Sequence, residues 1–308
     1  MSPETSSQTR KVVVALVLIA AVLMIAVVPF ITNSMLNPII QGQLARIEKF
    51  SSLGTPEGNA QAAVIKIIPW TIGFLFPFLT ALTFIAGFVL LAVAQPLYRG
   101  ETWARGAALA ALAMPSIAGA FQLVPWMNFV GSVQGGMPPA IITMAIGLIP
   151  YFAIILAEKT SMLYKAANGL VFLMLGVASA ENFANAHAAF RIYYGHPKRP
   201  LFTGETSVLW LAFPVLWITS FMLVVAIHKL GQRKASGMYL ALAAGGATFF
   251  ASLATHYVRH ATNDYLYGAL MGLSIVVLLV IPVVKQAVLS EPGAEKTAVK
   301  TAVKARTA

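Results

Sequence analysis

The chain of 308 residues contains no cysteine. Disulfide bonds, thiolate nucleophiles and cysteine-ligated zinc or iron–sulfur centres are therefore excluded. A haem held by two histidines remains compatible with this composition, because neutral imidazoles can supply both axial ligands.

Charged residues are also scarce, at 10% of the chain, whereas 58% of the residues are hydrophobic. A soluble domain has about 25% charged residues. The composition, with a mean hydropathy of +0.79, predicts an all-α integral membrane protein, a polytopic bundle of transmembrane helices. The sequence has no phosphate-binding loop, no HExxH zinc motif and no glycine-rich nucleotide fingerprint.

Long apolar runs, each of about 20 residues, are the units that span a bilayer as helices. Proline at 69 and 77 in the second run predicts a kink there, or a lead-in segment before the span. We count eight runs, at about 12–32, 64–95, 106–130, 138–157, 166–190, 207–229, 237–258 and 265–287.

Lysine and arginine in the connecting segments predict the orientation. With the N-terminus inside, 14 of the 21 basic residues fall on the inner side and 7 on the outer side. Both termini are therefore predicted to be cytoplasmic, in a multi-pass protein of the cell (plasma) membrane. The net charge of +11 is then largely a topogenic signal, and it gives no reason to expect a nucleic-acid partner.

The predicted organisation is a cytoplasmic segment at 1–11, one transmembrane domain at 12–288 and a basic disordered cytoplasmic tail at 289–308. The outer connection at 33–63 is predicted to hold a short amphipathic helix capped by Asn37, with Pro38 at its first position. Its apolar stripe is predicted to be Leu36, Ile40, Leu44 and Ile47. The helix either covers the outer helix ends or receives an extracytoplasmic partner.

Ionisable and amide side chains inside a span are costly, so they are candidates for function. The fifth run has most of them, and with the predicted orientation His187 lies about one turn from its outer end. His256, in the seventh run, lies at a similar depth. The polar group of the fifth run is Glu181, Asn182, Asn185 and His187.

His187 and His256 are the candidate cofactor and metal ligands, because two imidazoles at one depth could hold a single b-type haem. Each has a glycine 11 residues earlier on the same helical face, Gly176 and Gly245. Small residues there leave room for a flat macrocycle, but they equally allow close helix packing, as a stripe of Gly176, Ala180 and Ala184 would do. A proton relay or a copper-like site is the remaining interpretation.

Glu181 is the candidate catalytic residue, as an acceptor for a proton or for a quinol headgroup. The alternative is a carboxyl that is protonated or bonded to an asparagine on an adjacent helix.

The stretch ATHYVRHATND places His256, His260 and Asp264 four residues apart, which on one helix would form a three-ligand metal site. The chain must leave and re-enter the membrane within this stretch. We therefore predict that the seventh helix ends after His256, that His260 lies in a turn, and that the eighth helix is capped by Asn263 or Asp264.

Three functions fit these features. The first is a membrane subunit of a redox complex that binds haem b or a quinone or quinol near the outer face, in contact with lipid and with partner subunits. The second is a catalytically silent membrane anchor for another subunit. The third is a transporter or permease, supported by prolines in most spans, since broken helices can form binding sites at the middle of the membrane.

Overall fold

The computed structural model describes residues 5–131, 135–195, 205–259 and 262–290. Helices make up 90% of the structure, and the described residues contain no strand. The helices, in chain order, are α1 (Ser7–Ala26), α2 (Val28–Ser51), α3 (Pro56–Lys66), α4 (Ile68–Arg99), α5 (Thr102–Trp126), α6 (Ala140–Leu156), α7 (Met162–Gly195), α8 (Glu205–Gly231), α9 (Ala235–Val258), α10 (Asp264–Val280) and α11 (Pro282–Leu289). A π-helical turn, Met127–Gly131, extends α5.

Within the described residues, six helical segments are long and apolar enough to cross a bilayer. A seventh crossing is possible through α10 and α11, which meet at a bend of 83°. α6 has 17 residues, about 25 Å of helix, which is shorter than a usual span. The chain is therefore a multi-pass membrane protein, and each of the eight predicted runs has a helical counterpart.

The prolines interrupt fewer helices than the sequence suggests. A break at Ile67, just before Pro69, separates α3 from α4 and so forms the predicted lead-in segment. Helix α4 then continues through Pro77 and ends where Gly100 adopts a left-handed conformation, φ 87°. Among the described helices, the one pair of membrane-spanning segments bent by more than 40° is α10 and α11, and this bend coincides with Pro282. Broken helices therefore give the transporter hypothesis little support.

The outer connection differs from its prediction. Helix α2 begins at Val28 and passes through Pro38, so Asn37 lies within the helix and caps nothing. The predicted stripe is right only in part: Leu36 and Ile47 pack against the core, whereas Leu44 is 46% exposed. The buried stripe is Val28, Thr32, Met35, Ile39 and Gln43.

Helix α7 is the central helix of the bundle. It packs against α5, α8, α10 and α11, and its C-terminal end also contacts α3. We call the end of the bundle that carries the C-terminus of α7 the outer end, because the basic-residue count predicts that it faces outside. The opposite end is the inner end.

A buried charge network closes the inner end. Glu158, in the connection between α6 and α7, is 1% exposed and lies between two arginines. Arg105 Nε lies 2.8 Å from Glu158 Oε1, in an ion pair whose N–H is not aligned as a hydrogen-bond donor. Arg233 donates to Oε2 at 2.7 Å. The sequence count treated these arginines as loop charges, whereas the structure buries them.

Candidate functional site

A lateral cleft of about 210 Å³ lies between α5, α6 and α7. Its walls are almost entirely apolar. The exceptions are the hydroxyls of Ser116 and Tyr151 and the carboxyl of Glu181. Val124, Leu173 and Val177 line the cleft and are exposed, by 50%, 39% and 40%. Because these apolar side chains lie within membrane-spanning helices, the cleft opens sideways toward lipid.

Two kinds of glycine shape this cleft. A Cβ at Gly119 would lie 2.8 Å from the carbonyl oxygen of Ala140, so α5 and α6 approach each other at backbone distance. A Cβ at Gly176 would meet no atom within 4 Å. Gly176 therefore widens the cleft, together with Ala180 and Ala184. The interpretation of Gly176 as a close-packing residue is wrong, because α7 stands away from its neighbours there.

Glu181 is half-buried in the cleft wall. Its Oε1 accepts a hydrogen bond of 3.2 Å from Asn185 Nδ2, one turn further along the same helix. The sequence interpretation placed such an asparagine on a neighbouring helix. Asn185 Nδ2 also donates to the carbonyl oxygen of Asp264 at 3.1 Å, which ties this region to the start of α10. Glu181 lies 14 residues before the end of α7, about 21 Å along the helix.

His187 is 7% exposed and does not line the cleft. Its Nε2 lies 2.8 Å from the hydroxyl of Thr71 on α4, and that hydroxyl donates to the carbonyl oxygen of Ile68 at 3.0 Å. The arrangement assigns a proton to His187 Nε2, which then donates to Thr71. The ring packs edge-to-face on Phe121, with centroids 5.4 Å apart. Because α7 extends to Gly195, His187 lies about 12 Å from the helix end, whereas the sequence predicted a distance of about one turn.

His256 has different neighbours. It is half-buried near the end of α9, a helix that packs against α8 and α10. Its Nδ1 is inaccessible and has no hydrogen-bond partner among the residues that the structure describes. Gly245 lies on the same face of α9 as His256 and packs closely against Gly272 of α10. A Cβ on Gly245 would lie 3.0 Å from the Gly272 carbonyl oxygen. Helices α9 and α10 therefore pack closely at Gly245 and leave no room for a flat ring beside that glycine, and His187 bonds α4. A shared haem remains a prediction.

The stretch ATHYVRHATND does not form one helix. Helix α9 ends at Val258 and α10 begins at Asp264, as the sequence predicts. His260 lies outside the described residues. Asn263 occupies the N-cap position of α10 without a side-chain cap bond, and Asp264 lies in the first turn. No group of three or more His, Asp or Glu side chains among the described residues is arranged to hold a metal ion.

The remaining polar side chains of α7 join helices. Asn182 Nδ2 donates to Thr219 Oγ1 at 3.0 Å and to Thr248 Oγ1 at 2.6 Å, so it links α7 to α8 and α9. Ser179 and Ser220 exchange hydrogen bonds between α7 and α8. Such bonds between membrane helices stabilise their association. Asn182 is therefore a packing residue.

Sequence reasoning missed three contributors to these arrangements. Tyr151 and Ser116 line the cleft, and Thr71 bonds His187. Hydroxyl side chains are common in apolar runs, so only their helical register could have placed them opposite α7. Glu158 carried a stronger signal, because it is one of only ten acidic residues in the chain.

No protein family, curated protein or solved structure matches this chain.

Proposed function

We propose that the chain is a membrane subunit of a redox complex and that it binds the ring of a quinone or quinol in the lateral cleft. The proposal rests on one observation: a single carboxyl, that of Glu181, lies in the wall of an apolar cleft that opens toward lipid. Its location within the plasma membrane and its association with partner subunits belong to the same proposal.

The size of the cleft favours a headgroup over a whole ligand. Sites that enclose drug-sized ligands measure about 300–1,000 Å³, which is larger than the 210 Å³ of this cleft. One ring can therefore lie between the helices while an isoprenoid tail remains in the lipid. Gly176 provides a flat wall for the ring, and the aromatic side chains of Tyr151, Phe152 and Phe172 provide further apolar surface.

Glu181 supplies the proton chemistry in this proposal. Oxidation of a quinol releases two protons and two electrons. Glu181 accepts the first proton as a general base, and the second proton is released to water at the membrane surface. The electrons pass to a redox-active partner subunit. Asn185 holds one carboxylate oxygen by its hydrogen bond, and this leaves the other oxygen for the ring hydroxyl. Asn185 is thus a positioning residue.

The haem form of the redox hypothesis has less support than the quinol form. His187 Nε2 is engaged with Thr71, so iron ligation through that nitrogen requires this hydrogen bond to break. A reduced-minus-oxidised absorbance spectrum of the protein, purified with lipid from its native membrane, tests this form. A b-type band that is present in the wild-type spectrum and absent from that of His187→Leu would support the haem form of the hypothesis.

Binding in lipid nanodiscs tests the cleft. The probe is a short-chain benzoquinone, titrated into wild type, Gly176→Leu and Gly169→Leu. Gly176 and Gly169 lie two turns apart on α7, and a Cβ meets no atom within 4 Å at either position, but only Gly176 lines the cleft. We expect Gly176→Leu to abolish saturable binding and Gly169→Leu to retain it. Equal binding by the two variants would contradict the proposal.

Turnover tests Glu181. Glu181→Gln keeps the size of the side chain and an oxygen that accepts from Asn185, but it cannot take up a proton. We expect quinone binding to persist and quinol oxidation by the native complex to fall by about 10²–10⁴-fold, the usual contribution of a general base. An unchanged oxidation rate would remove Glu181 from the mechanism.

A further inference from the structure

The carboxyl of Glu181 lies only a short distance below the polar turn between α9 and α10. Asn185, one turn further along α7, donates from Nδ2 to Glu181 Oε1 at 3.2 Å and to the carbonyl oxygen of Asp264 at 3.1 Å. Asp264 begins α10, and both it and Asn263 are exposed in the turn. Because one helical turn rises about 5.4 Å, a single polar step separates Glu181 from this exposed turn.

Helix α9 carries two inaccessible polar atoms, one helical turn apart, near its outer end. Ser252 is fully buried, and its Oγ has no hydrogen-bond partner in the described part of the chain. The Nδ1 of His256, four residues later on the same face, is likewise without a partner among those residues. Ordered water usually satisfies buried polar atoms of this kind.

Ser252 of α9 and Asn185 of α7 meet at Gly268 of α10. A Cβ on Gly268 would lie 3.0 Å from Ser252 Oγ and 3.1 Å from Asn185 Nδ2, so the two polar atoms are at most about 6 Å apart. One water molecule can bridge that separation. One turn below, Asn182 Nδ2 donates to Thr248 Oγ1 at 2.6 Å, which holds α7 and α9 at this level. Any side chain at position 268 would close the space between the two polar atoms, and glycine leaves it open.

The register of α9 against α10 extends this line of polar groups to the outer end. Gly245 packs on Gly272 and Ser252 packs on Gly268, as in two antiparallel helices joined by a short turn. One turn beyond Ser252, the same register places His256 level with the first turn of α10. The line therefore ends at the exposed turn between the two helices.

We propose that a short chain of water molecules, held by Asn185, Ser252 and His256, leads from Glu181 to the outer end and carries away the proton that Glu181 takes from the quinol. The protonated carboxyl donates its proton to the first water, each water passes one proton to the next, and the last releases a proton to solution. Glu181 is then a carboxylate again. The three side chains position the waters and take no proton themselves. The proton-transfer role rests on the proposed quinol site, whereas the water chain does not.

Cysteine reactivity tests the water chain, because the protein has no cysteine of its own. Ser252→Cys and Ser179→Cys in lipid nanodiscs are treated with methyl methanethiosulfonate, and the mass of the intact protein reports the modified fraction. Both serines are fully buried, but Ser179 exchanges hydrogen bonds with Ser220, away from the proposed waters. Only a thiolate reacts and apolar burial suppresses its formation, so we expect Ser252→Cys to react about tenfold faster or more. Equal rates would overturn the water chain.

Quinol oxidation by the native complex tests the proton route. Valine and threonine have the same shape, but only threonine keeps a hydroxyl that can hold the water. We expect Ser252→Val to lower the oxidation rate by about tenfold, because Glu181 then loses its proton slowly, and Ser252→Thr to rescue it. Equal rates in the two variants would overturn the proton route. If Gly176→Leu and Gly169→Leu bind quinone equally, the quinol site fails instead, and the cysteine result still decides the water chain.

Discussion

Thr71 and His187 connect α4 to α7 through one buried hydrogen bond of 2.8 Å between Oγ1 and Nε2. Both side chains are less than 10% exposed. The sequence identified His187 as a cofactor ligand, whereas the structure gives this imidazole a protein partner. We expect this hydrogen bond to contribute to the stability of the fold.

Thr71→Val tests this bond, because it replaces a hydroxyl by a methyl group of similar size. His187 Nε2 then loses its acceptor inside the protein, and we expect a loss of about 1–3 kcal/mol in the free energy of unfolding. Thr83→Val is the matched control, since the Thr83 hydroxyl is equally buried but bonds only the Leu79 carbonyl of its own helix. If the two variants lose the same free energy of unfolding, the bond between the helices stabilises the fold no more than a bond within one helix does.

Glu158 is predicted to be the most sensitive charge at the inner end. Glu158→Gln leaves Arg105 and Arg233 buried without their counter-charge, and breaking a buried ion pair typically costs about 3–5 kcal/mol. Glu48→Gln, at an exposed position on α2, should change the free energy of unfolding little. Chemical denaturation in mild detergent measures both. A small effect of Glu158→Gln would mean that water enters this network.

The same network predicts a pH dependence. Burial opposes ionisation of Glu158, but the two adjacent guanidinium groups outweigh it and lower the pKa of the carboxyl below 4.5. A lowered pKa in the folded state stabilises the fold at pH above the unfolded value, and the stabilisation is lost as pH falls through the folded value. We expect the Tm of wild type to decrease below about pH 4.5, and the Tm of Glu158→Gln to decrease less steeply. If the Tm of wild type and the Tm of Glu158→Gln decrease in parallel as pH falls, the pH dependence does not come from Glu158.

Gln43 is predicted to destabilise the fold. It occupies a position in the buried stripe of α2 and is fully buried. Neither of its amide atoms has a hydrogen-bond partner within the described part of the chain. Gln43→Leu removes this unpaired amide, and we expect a gain of about 1–3 kcal/mol. Gln41→Leu, on the exposed side of α2, should have little effect. A loss of stability in Gln43→Leu would show that a bound water or ligand satisfies the amide.

Hydropathy predicted the helices well, because each apolar run must satisfy its backbone hydrogen bonds within itself. It predicted helix ends less well. Helix α7 continues past Phe190 to Gly195, and α2 passes through Pro38, because packing against α3 and α4 supports turns that are not apolar throughout. The separation of His256 from Asp264 was predictable, since chain length alone required a turn between two spans.

The candidate site was predictable only in part. Glu181 stood out because a carboxyl in an apolar run is costly, and the structure places it in the cleft wall. The role of Gly176 was not predictable. A glycine at this spacing equally fits close packing or an open wall, and the choice depends on side chains of α5 and α6 that are distant in the sequence. The partner of His187 was hidden for the same reason, because Thr71 lies 116 residues away.

Photolabelling by a short-chain azidoquinone in lipid nanodiscs, followed by peptide mapping, tests the central claim most directly. The claim predicts label on cleft residues of α5, α6 and α7, such as Met144 and Phe152, and loss of that label with excess unlabelled quinone or in Gly176→Leu. Label spread evenly over lipid-facing residues, unchanged by excess quinone, would contradict it.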